Sequence, residues 1–286
     1  MSIFSAIFQA IIQGVTEFLP VSSSGHISLY QHFTGNNGEG ALFFTAVLHI
    51  GTLVAVFIAF RKTIKDLILE FGRLCKDIVK GKFSYKNMNP DRRMIVMIFI
   101  SCLCLLPFAI FKDWFENVAE DAYIFEEGLC FLYTGAILLM SDRCAKGHKT
   151  AKDIDAKDAV TVGLFQGVAM LPGVSRSGST ICAGLFSGFE RETAVSYSFI
   201  LGIPVILVSC LSEFKDAIVT NAPIEVGNCL IGIIISAVVG IAAIKLVKWL
   251  LKTDKFKWFG IYTLALGGVV LLASFIELCL GHPIGQ

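Results

Sequence analysis

Six apolar stretches of about bilayer length dominate the chain, at roughly residues 41–60, 94–111, 123–141, 194–211, 226–244 and 259–280. A helix needs about 20 predominantly apolar residues to cross the hydrocarbon core, so each of the six reads as a membrane span. Hydrophobic residues make up 55% of the chain and charged residues 16%, against about 25% charged in a water-soluble domain. Water cannot solvate so much apolar surface, which excludes a soluble enzyme and a disordered chain. A net charge of +1 leaves no electrostatic footprint for nucleic acid. The nine cysteines lie mostly inside apolar runs and include no CxxC pair. They read as small buried hydrophobes rather than as disulfides or zinc ligands. The N-terminus has no basic leader region, and Gln13, Thr16 and Glu17 interrupt its apolar run, so it does not read as a cleavable signal.

Basic residues set the orientation. Residues 61–93 hold ten Lys and Arg, residues 142–158 five and residues 245–257 five, whereas 112–122 and 212–225 hold one Lys each and several acids. Positive loops stay cytoplasmic, so the three basic segments are expected inside and the two acidic ones outside. The six spans then alternate without conflict, residues 36–40 fall outside, and both termini are external. Trp114, Trp249 and Trp258 lie near span ends, where interfacial tryptophans collect. Ile64, Leu67, Ile68, Phe71 and Leu74 form an apolar stripe among the charges of 61–93, the pattern of a cytoplasmic surface helix on anionic lipid.

Two further apolar segments, 1–35 and 159–189, are broken near their middles by Pro, Gly and hydroxyl residues. If 159–189 crossed the membrane once, the Lys-rich 245–257 segment would land outside; a re-entrant hairpin keeps the charge pattern intact. The breaks resemble each other. Gln13-Gly14-Val15 is followed by Pro20 and Ser22-Ser23-Ser24-Gly25, and Gln166-Gly167-Val168 by Pro172 and Ser175-Arg176-Ser177-Gly178. Three spans follow each break, and an odd number of crossings reverses the second copy. The expected fold is an all-α polytopic membrane protein, a single integral domain over 1–286. It has six transmembrane helices and two opposed re-entrant helical hairpins, 1–35 and 159–189, in two inverted-topology repeats of about 1–141 and 159–280. Broken backbone at membrane depth needs protein or a water cavity around it. The second half-helix of each hairpin would aim its amides and positive dipole end at a shared anion.

Ionisable residues in apolar segments point to function by default. Arg176 lies among hydroxyls and glycines in Pro172–Thr180. It suits a bidentate grip on phosphate, the bland alternative being a structural pair with Glu17. Glu17 has Gln13 four residues earlier on the same helical face. It reads as a catalytic carboxylate, as the group through which Mg2+ or Ca2+ bridges to substrate phosphates, or as a hairpin cap. Ser23 and His26 are three apart. Serine is a weak nucleophile without a base beside it, and His26 could be that base, a proton donor to the leaving phosphate, or itself the phosphoryl acceptor. Direct attack by water, and a purely capping role for both residues, stay open. The favoured reading is attack by Ser23 with His26 in support, Glu17 taking the serine proton or holding a metal. Gln13, Ser22, Gly25, Ser175, Ser177 and Thr180 join Arg176 in the expected phosphate-binding set. His49 is expected to bond a carbonyl rather than line the site, Glu126 and Glu127 to reach water, and His32, His148 and His282 to fall in loops or ends and carry no signal.

Together these motifs resemble a known family. Gln13-Gly-Val-Thr-Glu17 with Pro20-Val-Ser-Ser-Ser-Gly-His26 fits the (E/Q)xxxE and SSxGH signatures of the bacterial undecaprenyl-diphosphate phosphatases of the bacitracin-resistance type. Pro172-Gly-Val-Ser-Arg-Ser-Gly-Ser-Thr180 fits their PGxSRSxxT signature. The resemblance implies an enzyme of the bacterial cytoplasmic (inner) membrane that removes the terminal phosphate of a C55 isoprenoid diphosphate. Its product is the monophosphate lipid carrier of peptidoglycan synthesis, and its activity confers bacitracin resistance. The resemblance further implies Glu17, Ser23, His26, Ser175, Arg176 and Thr180 as site residues, a divalent cation, a possible homodimer and a site open to the external leaflet. A secondary transporter shares inverted repeats and opposed hairpins and is the alternative. The phosphatidic-acid-phosphatase group has a box like Ser23-Ser24-Gly25-His26. It also needs a His and an Asp at fixed spacing after the Ser-Arg, and here no His follows Arg176 before His282.

Overall fold

The computed structural model describes residues 1–35, 41–110, 124–144, 146–219, 225–252 and 256–282. Among the described residues every regular element is a helix. In chain order they are α1 (Ile3–Thr16), α2 (Ser23–Thr34), α3 (Ala41–Ala59), α4 (Arg61–Val79), α5 (Pro90–Leu103), α6 (Leu106–Ile110), α7 (Phe125–Asp142), α8 (Ala156–Val168), α9 (Arg176–Phe186), α10 (Arg191–Val219), α11 (Val226–Lys252) and α12 (Lys257–Leu280). Three stretches are long and apolar enough to cross a membrane, Arg191–Lys215, Val226–Leu250 and Lys257–Leu280, and α3 with α4 passes the same test as a pair bent by 87°. The chain is an all-helical membrane protein.

Local chemistry explains the boundaries. Asn89 caps α5 by accepting from the Arg92 amide at 2.8 Å, and Pro90 follows at the first helical position, where its missing N–H costs nothing. Asp155 and Asp158 form a reciprocal capping box on α8. The expected span 94–111 is not one helix. It divides at Cys104-Leu105 into α5 and α6, because Pro107 removes an amide donor and disfavours helical backbone just before it. Residues 36–40 and 111–123, with Trp114, lie outside the described residues.

Both broken segments are helix–break–helix units, α1–α2 and α8–α9. The hairpins are held by helices of the opposite half: α1 packs on α11 and α8 on α5, while α3 packs on α10 and α11, α5 on α10, and α7 on α12. On the α7–α12 seam a Cβ at Gly135 would sit 2.8 Å from the Gly260 carbonyl oxygen, and one at Gly267 2.9 Å from that of Gly128. Backbone therefore lies directly on backbone, as small residues allow between membrane helices. The largest apolar cluster joins the two hairpins, with Phe18 and Val21 from the first and Ile181 and Cys182 from the second around Met97 and Phe199.

The surface-helix reading of α4 needs correction on one flank. Ile64, Leu67 and Leu74 are buried, while Ile68 and Phe71 are exposed. The helix turns one side to the protein because Glu70 is buried and bonded there: Arg92 donates to it at 2.7 Å and Arg73 at 3.2 Å. Arg92 also pairs with Asp77 at 2.8 Å.

Candidate active site

The two turns deliver their residues in matching steps. Ser22 caps α2 by accepting from the Gly25 amide at 3.2 Å, and Ser175 caps α9 by accepting from the Gly178 amide at 3.0 Å. The next residue in each half-helix reaches the same carboxylate. The Ser23 hydroxyl donates to Glu17 Oε2 at 2.7 Å, and the Arg176 guanidinium pairs with Glu17 Oε1. The residues after those tie the hairpins together: the Gly173 amide donates to Ser24 Oγ at 3.3 Å, and Ser177 Oγ donates to the Leu19 carbonyl at 3.4 Å. Both turns pass through left-handed backbone, at Gly173 (φ 88°) and at Ser22 (φ 72°). Serine pays a steric penalty there that glycine avoids, and such strain collects at functional sites.

Glu17 is buried and gathers the site. Gln13 donates to its Oε2 at 3.0 Å, and His49 Nε2 lies 3.7 Å from the same oxygen. The other ring nitrogen of His49 donates to the Thr45 carbonyl at 3.0 Å. The expected carbonyl bond is present, and the ring also faces the site. His26 Nδ1 lies 2.7 Å from the Ser22 carbonyl and its Nε2 2.7 Å from the Tyr262 hydroxyl.

The structure thus brings Gln13, Glu17, Ser23 and Arg176 together, and joins Ser23 to Glu17 rather than to His26. Gly25 lies against the second turn, where a Cβ would come 3.0 Å from Gly173 Cα. Ser175 donates its amide to Thr134 Oγ1 at 3.2 Å. Thr180 is buried one turn further along, donating to the Arg176 carbonyl at 2.9 Å and meeting Ser198 Oγ at 2.6 Å. It braces the helix that carries Arg176.

Several contributors carry no motif. Tyr262 and Thr134 come from α12 and α7. Gly202 of α10 leaves the room that Arg176 occupies; a Cβ there would fall inside the guanidinium, 2.8 Å from Cζ. Two expectations fail. Glu127 is buried and accepts from Ser28 at 2.6 Å. His32 is buried and paired with Glu277 at 2.6 Å. The signal for both was an ionisable residue inside an apolar helix, which seldom stays unpartnered.

Chemically, a hydroxyl at a helix start donates to a carboxylate that an arginine holds. The first amides of α2 and α9 stand beside it without intrahelical partners. This is the equipment of phosphoryl transfer: nucleophile, proton acceptor and anion cradle. Among the described residues no group of three or more His, Cys, Asp or Glu could hold a metal ion. Gln13 Oε1 is buried with no hydrogen-bond partner among them, so beside Glu17 it offers a hard cation a second oxygen.

The family model for Bacitracin resistance protein BacA matches residues 6–269. The chain belongs to this family. The curated Undecaprenyl-diphosphatase of Alkaliphilus metalliredigens is 37% identical over 281 residues, 96% of this chain and 100% of the relative. That of Desulfatibacillum aliphaticivorans is 38% identical over 271 residues, 93% and 96% of the two chains. That of Methanosphaera stadtmanae is 36% identical over 280 residues, 96% and 99%. The matched region of the bacitracin resistance family contains the second hairpin, the first from residue 6 onward, and every residue of the Glu17 cluster.

Proposed function

We propose that this chain is an undecaprenyl-diphosphatase, releasing inorganic phosphate from undecaprenyl diphosphate and returning the monophosphate carrier. The observation that carries the reading is the convergence of Ser23 and Arg176, from matching positions of two hairpins, on Glu17. The relatives' shared name favours the enzyme over a secondary transporter.

In this mechanism Arg176 and the first amides of α2 and α9 hold the oxygens of the terminal phosphate. Ser23 Oγ attacks phosphorus while Glu17 takes its proton. The bond from phosphorus to the bridging oxygen breaks, and undecaprenyl monophosphate leaves. Water then attacks the phosphoserine, frees inorganic phosphate and restores the hydroxyl. Ser23 is preferred to His26 as nucleophile because its hydroxyl already donates to a carboxylate, whereas His26 holds a backbone carbonyl and a tyrosine. Glu17 and Gln13 Oε1 would hold Mg2+ or Ca2+ once the diphosphate completes the oxygen set. When bound, the cation would offset charge on the phosphates.

We extend the proposal to six spans and two re-entrant hairpins in inverted repeats. The packing supports this: α1 on α11 mirrors α8 on α5, α3 on α11 mirrors α10 on α5, and α7–α12 and α3–α10 pair across the pseudo-twofold. The basic loops favour α4 on the cytoplasmic side of an inner membrane. A cysteine at Lys82, in a background lacking native cysteines, should then resist an impermeant reagent added outside, and labelling there would reverse the orientation.

Rapid quench of wild type with radiolabelled undecaprenyl diphosphate tests the chemistry. The expected species is an acid-stable phosphoserine that Ser23→Ala abolishes together with turnover. An acid-labile species, or full turnover in Ser23→Ala, would remove serine attack.

A further inference from the structure

We propose that Tyr262 is the positioning residue for His26, fixing the imidazole so that its Nε2 is the nitrogen that exchanges a proton. The proposal rests on the undecaprenyl-diphosphatase reading above and concerns a residue that no motif singles out.

A carbonyl oxygen can only accept. The 2.7 Å contact between His26 Nδ1 and the Ser22 carbonyl therefore requires the proton on Nδ1. In the neutral ring Nε2 then carries the lone pair, and the Tyr262 hydroxyl donates to it at 2.7 Å. In the imidazolium both nitrogens donate, and the same hydroxyl oxygen accepts. A phenol serves both states without moving, which suits a group that gains and loses a proton within a catalytic cycle.

The surroundings hold the ring rather than charge it. Tyr262 stacks on it at 5.8 Å with 15° between the planes, and Phe131 of α7 meets it edge-on at 5.3 Å and 86°. The two carboxylates that reach α2 on either side of His26 are occupied, Glu17 by Ser23 and Glu127 of α7 by Ser28. Nδ1 is committed to backbone, so Nε2 is the nitrogen left to exchange a proton, through the hydroxyl of the half-exposed Tyr262. Ser22 also caps the helix that presents Ser23. One strained residue thereby orients the hydroxyl on one side of the turn and the imidazole on the other.

Tyr262→Phe keeps the stack and removes only the hydroxyl. With undecaprenyl diphosphate as substrate, kcat should fall about tenfold with KM within about twofold. With His26 as the acid or base served by Nε2, one limb of the wild-type pH–rate profile should vanish in His26→Ala and be displaced in Tyr262→Phe, and adding Tyr262→Phe to His26→Ala should cost nothing more. Wild-type kcat and profile in Tyr262→Phe, or an equal further loss in the His26→Ala background, would overturn the assignment. Nitrogen NMR of 15N-histidine-labelled protein in nanodiscs reads the geometry without turnover. The Nε2 resonance of His26 should shift in Tyr262→Phe while Nδ1 stays, and an unmoved Nε2 sinks the proposal. Wild type that releases no phosphate would instead refute the enzymatic reading, and the resonance would still decide the role of Tyr262.

Discussion

The first hairpin leaves Ser23 and His26 partly open, whereas the second buries nearly all of α9 from Ser177 to Gly184. Both use the same serine cap and the same reach into the opposite turn, and among the places where they differ two decide which groups meet. Four residues beyond its glutamine the first hairpin has Glu17 and the second has Met170; one residue beyond its cap the first has Ser23 and the second Arg176. The glutamines record the difference. Gln13 donates to Glu17, while Gln166 is buried with no partner for either amide atom among the described residues. In the proposed mechanism one half supplies the groups that change covalent state, and the other is a buried bed that presents the Arg176 charge. Duplicated backbone geometry need not carry duplicated chemistry.

The largest test of this division is Glu17→Gln, close in shape to the native residue. It removes the proton acceptor of Ser23 and leaves the Arg176 charge without its partner, so phosphate release should fall by about 10³-fold or more. Retention of a tenth of the activity would show that the carboxylate is structural. Arg176→Lys comes next. It keeps the charge but loses the fork, and turnover should drop tenfold or more, about 1.4 kcal/mol or above, with the thermal midpoint unchanged. Near-normal turnover would free the second hairpin from any grip on the transferred phosphate.

Much of this site could be read from the chain because the hairpin motifs are local. Gln13 and Glu17 share a helical face, and Ser23 and Arg176 begin helices, so their types and spacing already state their roles. His49, Gly202 and Tyr262 could not be read that way. Each sits on a long helix whose rotation about its own axis is set by packing against the opposite half of the chain, and periodicity within one helix does not report it. His49 shows the limit most clearly. In the sequence a carbonyl bond and a place at the site look like alternatives, yet an imidazole has two nitrogens, and here they serve both. Helices cover the expected stretches 41–60, 194–211, 226–244 and 259–280, although two of them run eight residues past the expected end, to Val219 and Lys252, and 94–111 is divided beside Pro107.

A subtler probe of the buried bed is Gly202→Ala. The added methyl must displace the guanidinium, and turnover should fall by roughly 3- to 10-fold, about 1 kcal/mol, with Glu17 and Ser23 untouched. Unchanged kinetics would mean that Arg176 has a second acceptable position. The smallest effect belongs to neither hairpin. Burial pushes the Glu70 carboxyl up, but hydrogen bonds from Arg92 and Arg73 outweigh it and hold the group below its ordinary value of 4.5. A depressed carboxylate stabilises the fold above its unfolded pKa, and this is lost as pH falls through the folded one. Glu70→Gln should leave phosphate release intact and cost about 1 kcal/mol of stability at neutral pH. That difference should close on acidification below 4.5, and a gap that persists there would remove the ion pair as its cause.

The contact between Glu17 and Arg176 spans 159 positions of chain, and this has a consequence for biosynthesis. Synthesis is vectorial, so the carboxylate emerges from the ribosome long before the guanidinium. Until then it has Gln13, Ser23 and His49 but not the guanidinium, and in the proposed re-entrant arrangement an ionised carboxylate is costly to keep without it. The first hairpin therefore cannot settle at its final depth on its own. It must wait at the water boundary, or protonated, while some hundred and fifty residues are threaded in behind it. In nascent chains released before α9, a cysteine at Phe18 should react with a soluble thiol reagent, where the completed chain buries that position.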